Sequence, residues 1–153
     1  MTRGVFELDC TIAVEDVAEV RRLVERIQLR RGSTETQAAR IAMATHELLE
    51  NAIKFSIDGA ARLRIEITDG GEVKILTRNR ASAGDREELA VLAAELASAI
   101  DPMAFYVGLM GRAPTKRGGL GLGRIAAEGD MAIGFVFHDD VVEVHASSAL
   151  AAA

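Results

Sequence analysis

Between Thr34 and Leu76 the hydrophobic period of the chain changes from that of a helix to that of a strand, and this switch constrains the fold most. Ile41, Leu48, Ala52 and Phe55 form one stripe of a segment that opens with Thr34-x-x-Gln37, a capping-box pattern, and runs to about Phe55. Arg62-Leu63-Arg64-Ile65-Glu66-Ile67 then alternates polar and apolar, as a half-buried strand does. Asp69-Gly70-Gly71 turns it back into Val73-Lys74-Ile75-Leu76. A helix with one apolar stripe and a hairpin with one apolar face bury those surfaces by packing on each other.

The flanking segments extend this arrangement. Gly4 to Ile12 reads as a first strand. Glu15 to Arg31 reads as a helix with Val17, Val20, Val24 and Ile27 on one face, acids in its first turn, Arg30 and Arg31 in its last, and Gly32 as a stop. Gly84-Asp85 opens a helix to about Ile100, with Leu89, Leu92, Leu96 and Ile100 on one side, ended by Asp101-Pro102. Met103 to Gly111 is apolar and is read as irregular, and Pro114 to Gly119 as flexible. A short helix follows, then a hairpin of Met131–Phe137 and Val141–His145 around Asp139-Asp140, and an Ala-rich tail over 146–153. The expected fold is α+β, a two-layer sandwich with a mixed or antiparallel sheet and helices on one face.

The 153 residues make one domain, large enough to bury a core, and 49% hydrophobic with 27% charged residues excludes a disordered chain. The net charge is −5, and the cationic clusters are only pairs: Arg21-Arg22, Arg30-Arg31 and Lys116-Arg117. No nucleic acid is expected as a partner. Cys10 is the sole cysteine and cannot close an internal disulfide, which fits a reducing compartment. Met1 to Cys10 has no basic segment leading into an apolar one, and no apolar run has membrane-spanning length. The expectation is a soluble cytoplasmic protein that does not engage a membrane.

Two stretches carry chemistry. In His46-Glu47-Leu48-Leu49-Glu50-Asn51-Ala52-Ile53-Lys54-Phe55-Ser56, Glu47, Asn51 and Lys54 stand at i, i+4 and i+7, one face of a helix beside the apolar stripe. Asn51 can offer a hard amide oxygen to Mg²⁺, and Glu47 can take a proton from an attacking hydroxyl or water. The bland alternative is a solvated face with a Glu50–Lys54 pair worth about 0.2–0.5 kcal/mol. A His-Glu-x-x-His zinc site would need a second histidine at position 50, where glutamate stands. His46 also lacks the basic residue and proline that follow a phosphoacceptor histidine, so it is read as a surface residue. The second stretch is Gly118-Gly119-Leu120-Gly121-Leu122-Gly123. Glycines let backbone approach a phosphate, and a following helix presents free N–H groups at its positive end. Taken alone, such a run is more often a loop.

In this order the two stretches resemble the N box and second glycine box of the GHKL (Bergerat-fold) superfamily. Leu49-x-Asn51-Ala52-Ile53-Lys54-Phe55-Ser56 is similar to the histidine-kinase N box, and Glu47 is similar to its counterpart in gyrase-type ATPases and anti-sigma-factor serine kinases. The resemblance covers roughly Val5 to His145 and is strongest to the anti-sigma and SiaB-type kinases. It implies ATP and Mg²⁺ as cofactors, with Glu47 as base, Asn51 on Mg²⁺, and Lys54 with the backbone of Gly119, Leu120, Gly121 and Leu122 on phosphates. The implied activity is phosphorylation of a serine or threonine on a small regulatory protein in a partner-switching system, with a homodimer possible. The family's first glycine box, Asp-x-Gly-x-Gly, falls on Asn79-Arg80-Ala81-Ser82-Ala83, and Asn79 is the residue that would face adenine. Its amide oxygen can accept from the adenine amino group but lacks the carboxylate's charge. That departure supports an alternative: a pseudokinase that kept the fold and acts as a protein-binding module. Residues 84–118 take the place of the ATP lid, where Lys116 or Arg117 could reach terminal phosphates. Met103, Tyr106 and Met110 share a face if their stretch is helical; they are read as core, with a partner-binding patch as the alternative.

Overall fold

The computed structural model of the chain describes residues 5–68, 72–99, 101–110, 120–128 and 131–149. Strand β1 (Phe6–Ala13) leads through a 3₁₀ turn at Val14–Asp16 into α1 (Val17–Arg30) and then α2 (Glu35–Lys54). A hairpin of β2 (Ala60–Ile67) and β3 (Glu72–Arg80) follows, then α3 (Ala83–Ser98), α4 (Pro102–Met110) and α5 (Leu120–Glu128). A second hairpin, β4 (Ala132–His138) and β5 (Val141–Ala149), completes the order. The five strands form one sheet in the order β1-β2-β3-β5-β4, antiparallel at every pairing. The α+β architecture expected from the sequence is the one observed.

Local chemistry accounts for the boundaries. Thr34 caps α2 reciprocally with Gln37: the Gln37 N–H donates to Thr34 Oγ1 and the Thr34 N–H donates to Gln37 Oε1, both at 3.1 Å. Gly32 ends the first helical segment at φ +93, a conformation that costs other residues strain. Strict alternation in β2 and β3 sends Leu63, Ile65, Ile67, Val73 and Ile75 into the core, where α2 contributes Leu48, Leu49 and Phe55. The opposite face of the sheet is charged and laced by ion pairs, including Arg62 Nε–Asp9 Oδ1 at 2.8 Å and Arg78 Nε–Glu143 Oε1 at 2.7 Å. The helices therefore cover one face only, and α1 packs against α2.

The structure corrects several local expectations. Residues 102–110 are helical, because Pro102 suits the first helical position and the Asp101 carboxylate accepts from the Ala104 N–H at 2.7 Å. Met103 and Met110 on that helix are 51% and 53% exposed and so are not core; Phe105 is the buried residue of α4. Strand β5 continues through Ala146, which is buried, to Ala149, so the hairpin takes in the first residues of the expected tail. The Asp69-Gly70-Gly71 turn lies outside the described residues, although the Thr68 N–H donates to the Glu72 carbonyl at 3.0 Å and closes that hairpin.

Candidate functional site

Helix α2 sets out three of the candidate side chains. Because Leu48, Leu49 and Ala52 point into the core, Glu47 and Asn51 fall on the margin of the buried stripe and are half-buried, while Lys54, a turn further on, is exposed. His46 is also half-buried, its Nε2 lying 3.0 Å from Glu50 Oε1, so it is not the open surface residue that its sequence context implies.

Glu47 meets α5. Its carboxylate occupies the space a Cβ would need at Gly121, and its Oε1 lies 3.7 Å from Arg124 Nη1. Arg124 also donates from Nε to Glu128 Oε2 at 3.0 Å. The hydrogen bond to Glu128 foremost, and to a lesser degree the charge of Glu47, raise the guanidinium pKa further above its ordinary value. Gly123 serves a different purpose: it lets α4 approach, with Tyr106 and Leu109 side-chain carbons 3.0 Å from where a Cβ would stand. α5 therefore brings to α2 a helix N-terminus, whose first N–H groups have no intrahelical acceptors, and a cation one turn further along.

Gly121→Ala is expected to separate stability from geometry. The added methyl meets only the far end of a flexible side chain, and alanine improves helix propensity by about 0.8–1.0 kcal/mol, so stability stays within about 1 kcal/mol of wild type. The Glu47 carboxylate must move. Denaturant unfolding checks the first statement, and the carboxyl ¹³C shift of Glu47 the second; an unmoved shift would show that the contact with Gly121 is not made in solution.

Asn79 sits one residue before the end of β3, on the helix side of the sheet, and is 5% exposed. Its Nδ2 donates to the Arg80 carbonyl at a long 3.4 Å. The next residues form a fastened corner. The Arg80 carbonyl accepts from the Ile57 N–H and the Ala81 N–H donates to the Asp140 carbonyl, each at 2.8 Å. Arg86 Nη1 donates to the Ala81 carbonyl at 2.6 Å, and Ser82 caps α3 by accepting from the Asp85 N–H at 3.2 Å. Arg80 Nε also donates to Asp140 Oδ2 at 2.8 Å, the hydrogen bond that most lowers the Asp140 carboxyl below its usual range. Where the family resemblance puts a glycine box, the chain passes straight from strand to helix cap, and the Ala81 methyl belongs to the core.

Of the candidate residues, the structure brings Glu47 to Gly121, keeps Asn51 and Lys54 on the same helix, and buries Asn79 on the helix side of β3, a strand on which α2 packs. Leu122 is 1% exposed in the core, so only its backbone is available to a ligand. Leu120 begins α5. Gly119, Lys116 and Arg117 lie outside the described residues. Sequence reasoning misses Arg124 and Arg86. Arg124 is within its reach, since it stands three residues after Gly121 and so shares its helix face; nothing in the local sequence marks Arg86 as the partner of the Ala81 carbonyl. Among the described residues no group of histidine, cysteine, aspartate and glutamate is placed to hold a metal ion by itself, and no helix is long and apolar enough to cross a membrane.

No family model matches the chain, and no curated protein matches it. Among solved structures it shares its fold with a chain of the crystal structure of the SiaB–SiaC complex from Pseudomonas aeruginosa. The TM-score is 0.69 at 15% sequence identity, over 94% of this chain and 89% of that one. At that identity the likeness is one of fold.

Proposed function

We propose that this chain is an ATP-binding regulatory protein that phosphorylates a serine or threonine on a small partner protein. The observation that carries the reading is the meeting of Glu47 with Gly121 and Arg124. It joins the carboxylate of one sequence stretch to the glycine-headed helix of the other, although about seventy residues separate them in the chain. The fold shared with a chain of a two-protein complex supports a protein partner.

The donor set fits Mg-ATP. Asn51 offers a hard amide oxygen of the kind Mg²⁺ takes when water and substrate supply its other ligands. Lys54 and the first N–H groups of α5, with Gly119 before them, would hold phosphates, and Asn79 Oδ1 would accept from the adenine amino group. Bound Mg-ATP supplies the phosphoryl group and neutralises its charge. Glu47 would accept the proton of the partner's hydroxyl, and Arg124 holds that carboxylate in place beside α5.

A second reading, a catalytically dead binding module, is favoured by the corner at Arg80–Ser82, whose backbone groups are already engaged and whose Ala81 methyl is packed in the core. Calorimetric titration with Mg-ATP, ADP and GTP separates the two. Adenine nucleotide is expected to bind in the micromolar to millimolar range, about −8 to −4 kcal/mol. Asn79→Asp is expected to tighten ATP by about 1–2 kcal/mol, because a charged acceptor makes the stronger hydrogen bond, and Asn79→Ala to weaken it. No heat at millimolar ATP favours the binding module; equal affinity in both variants would show that Asn79 does not face adenine.

A further inference from the structure

On the sheet face away from the helices, β2 and β3 carry a cluster of arginines that the proposed activity does not use. Arg62 and Arg78 are direct cross-strand partners with both side chains exposed on that face, and Arg80 follows two residues on. Like charges set opposite one another in this way are destabilising. Carboxylates from the flanking strands offset the repulsion. Arg62 donates from Nε and Nη2 to Asp9 of β1, at 2.8 Å and 3.2 Å. Arg78 engages Glu143 of β5 through Nε, at 2.7 Å, and through Nη2. Arg80 donates from Nε to Asp140 at 2.8 Å. Arg62 is thus drawn toward one neighbouring strand and Arg78 toward the other. A cavity of about 210 Å³ opens there, lined by all three arginines with Thr11, Ala60 and Val141. Among the described residues, Nη1 of each guanidinium has no acceptor.

We propose that this cavity binds a compact phosphate dianion, as inorganic phosphate or as the phosphoryl head of a small ester. A guanidinium carries five N–H donors in one plane, and the carboxylates leave several of them unused. The unused donors belong to three side chains on two strands. A tetrahedral phosphoryl group has three terminal oxygens to meet them, whereas a carboxylate has two, in one plane. The neighbouring acids limit the size of the ligand. Asp9, Glu143 and Asp140 pair with the arginines, and Asp58 lines the cavity beside them. A single phosphoryl group meets the guanidinia first. A chain of phosphates, or a nucleic-acid strand, extends over the carboxylates and is repelled. The same carboxylates fix the guanidinia beforehand, so less side-chain freedom is lost on binding. Asn79 stands between Arg78 and Arg80 but is buried on the helix side. The sheet therefore separates this cavity from the residues assigned to nucleotide, and the inference is independent of that assignment.

Titration of the unaltered chain with inorganic phosphate, followed by NMR of the arginine Nε–Hε groups, tests the site. Arg62, Arg78 and Arg80 should shift together, with half-saturation at roughly millimolar concentration, since charge in the cluster is nearly balanced. Acetate at equal ionic strength should leave them in place. A parallel titration with glycerol phosphate tells ester from free ion: the tighter of the two is the occupant, and either supports the site. Arg78→Gln should weaken phosphate binding by about tenfold or more, read at Arg62 and Arg80. Ala60→Leu, which fills the cavity and removes no charge, should do the same. Arg22→Gln, an exposed arginine of α1, should change nothing. Signals unmoved at about 50 mM phosphate overturn the proposal, because a millimolar site is then nearly saturated. An equal response to acetate, a several-fold tighter response to tripolyphosphate, or wild-type affinity in either Arg78→Gln or Ala60→Leu overturns it as well.

Discussion

Glu47→Ala is expected to lower phosphate transfer to the partner by about 10²–10⁴-fold, the usual consequence of removing a positioned general base. Mg-ATP affinity should stay nearly unchanged, because a base that acts on the partner's hydroxyl need not contribute to nucleotide binding. Asn51→Ala is expected to reduce both quantities, since it removes the amide oxygen assigned to Mg²⁺. A partner recovered by pull-down, radiolabelled ATP and calorimetry on each variant are enough to decide. A pure binding module shows no transfer in wild type and no change in partner affinity with Glu47→Ala. Transfer that continues at the wild-type rate without Glu47 would refute the assigned role while leaving kinase activity itself standing. Arg124→Ala adds a further distinction. If the arginine only positions Glu47, transfer falls but is not lost, and nucleotide affinity holds.

Phe55→Ala is expected to destabilise the chain by about 3–5 kcal/mol, the loss typical of emptying a buried aromatic site. Phe55 is 1% exposed in the core cluster, and its N–H closes the last turn of α2 on the Asn51 carbonyl at 3.1 Å. Domains of this kind hold about 5–15 kcal/mol in all, so the variant sits near the threshold of folding. For a domain of this length about 2–4 °C is lost per kcal/mol, giving a fall in Tm of roughly 6–20 °C. Ile57, two residues away and 57% exposed, is the internal control: Ile57→Ala should change stability by less than about 0.5 kcal/mol. Urea unfolding of both variants tests the pair. A loss below about 1 kcal/mol for Phe55→Ala would mean that this end of α2 does not pack on the sheet as described.

Elements specified by local interactions are legible in the sequence itself. The period change between α2 and β2, the Thr34–Gln37 capping box and the Asp139-Asp140 turn all emerge as expected, because each rests on residues that touch neighbours a few positions away. The helix that begins at Pro102 is not legible, for a physical reason. An unbroken apolar run has no period to read, and α4 buries only Phe105 among such residues while leaving Met103, Val107 and Met110 exposed. The segment Asn79-Arg80-Ala81-Ser82-Ala83, where the family resemblance puts a glycine box, can be placed along the chain, but not what fastens it: the Arg86 and Asp140 contacts at that corner come from residues beyond it in the chain.

Composition, period and capping thus determine, by themselves, the class of the fold, the order of most of its elements, and the face of α2 that holds Glu47, Asn51 and Lys54. They do so because propensity and amphipathicity act over one or two turns. Only the tertiary structure decides that Glu47 lies against Gly121 and Arg124, that Asn79 is buried at the end of β3, and that β4 stands last in the order of the described strands. Those facts depend on where the antiparallel sheet places strands distant in sequence and on how closely two helices approach. No local pattern encodes them.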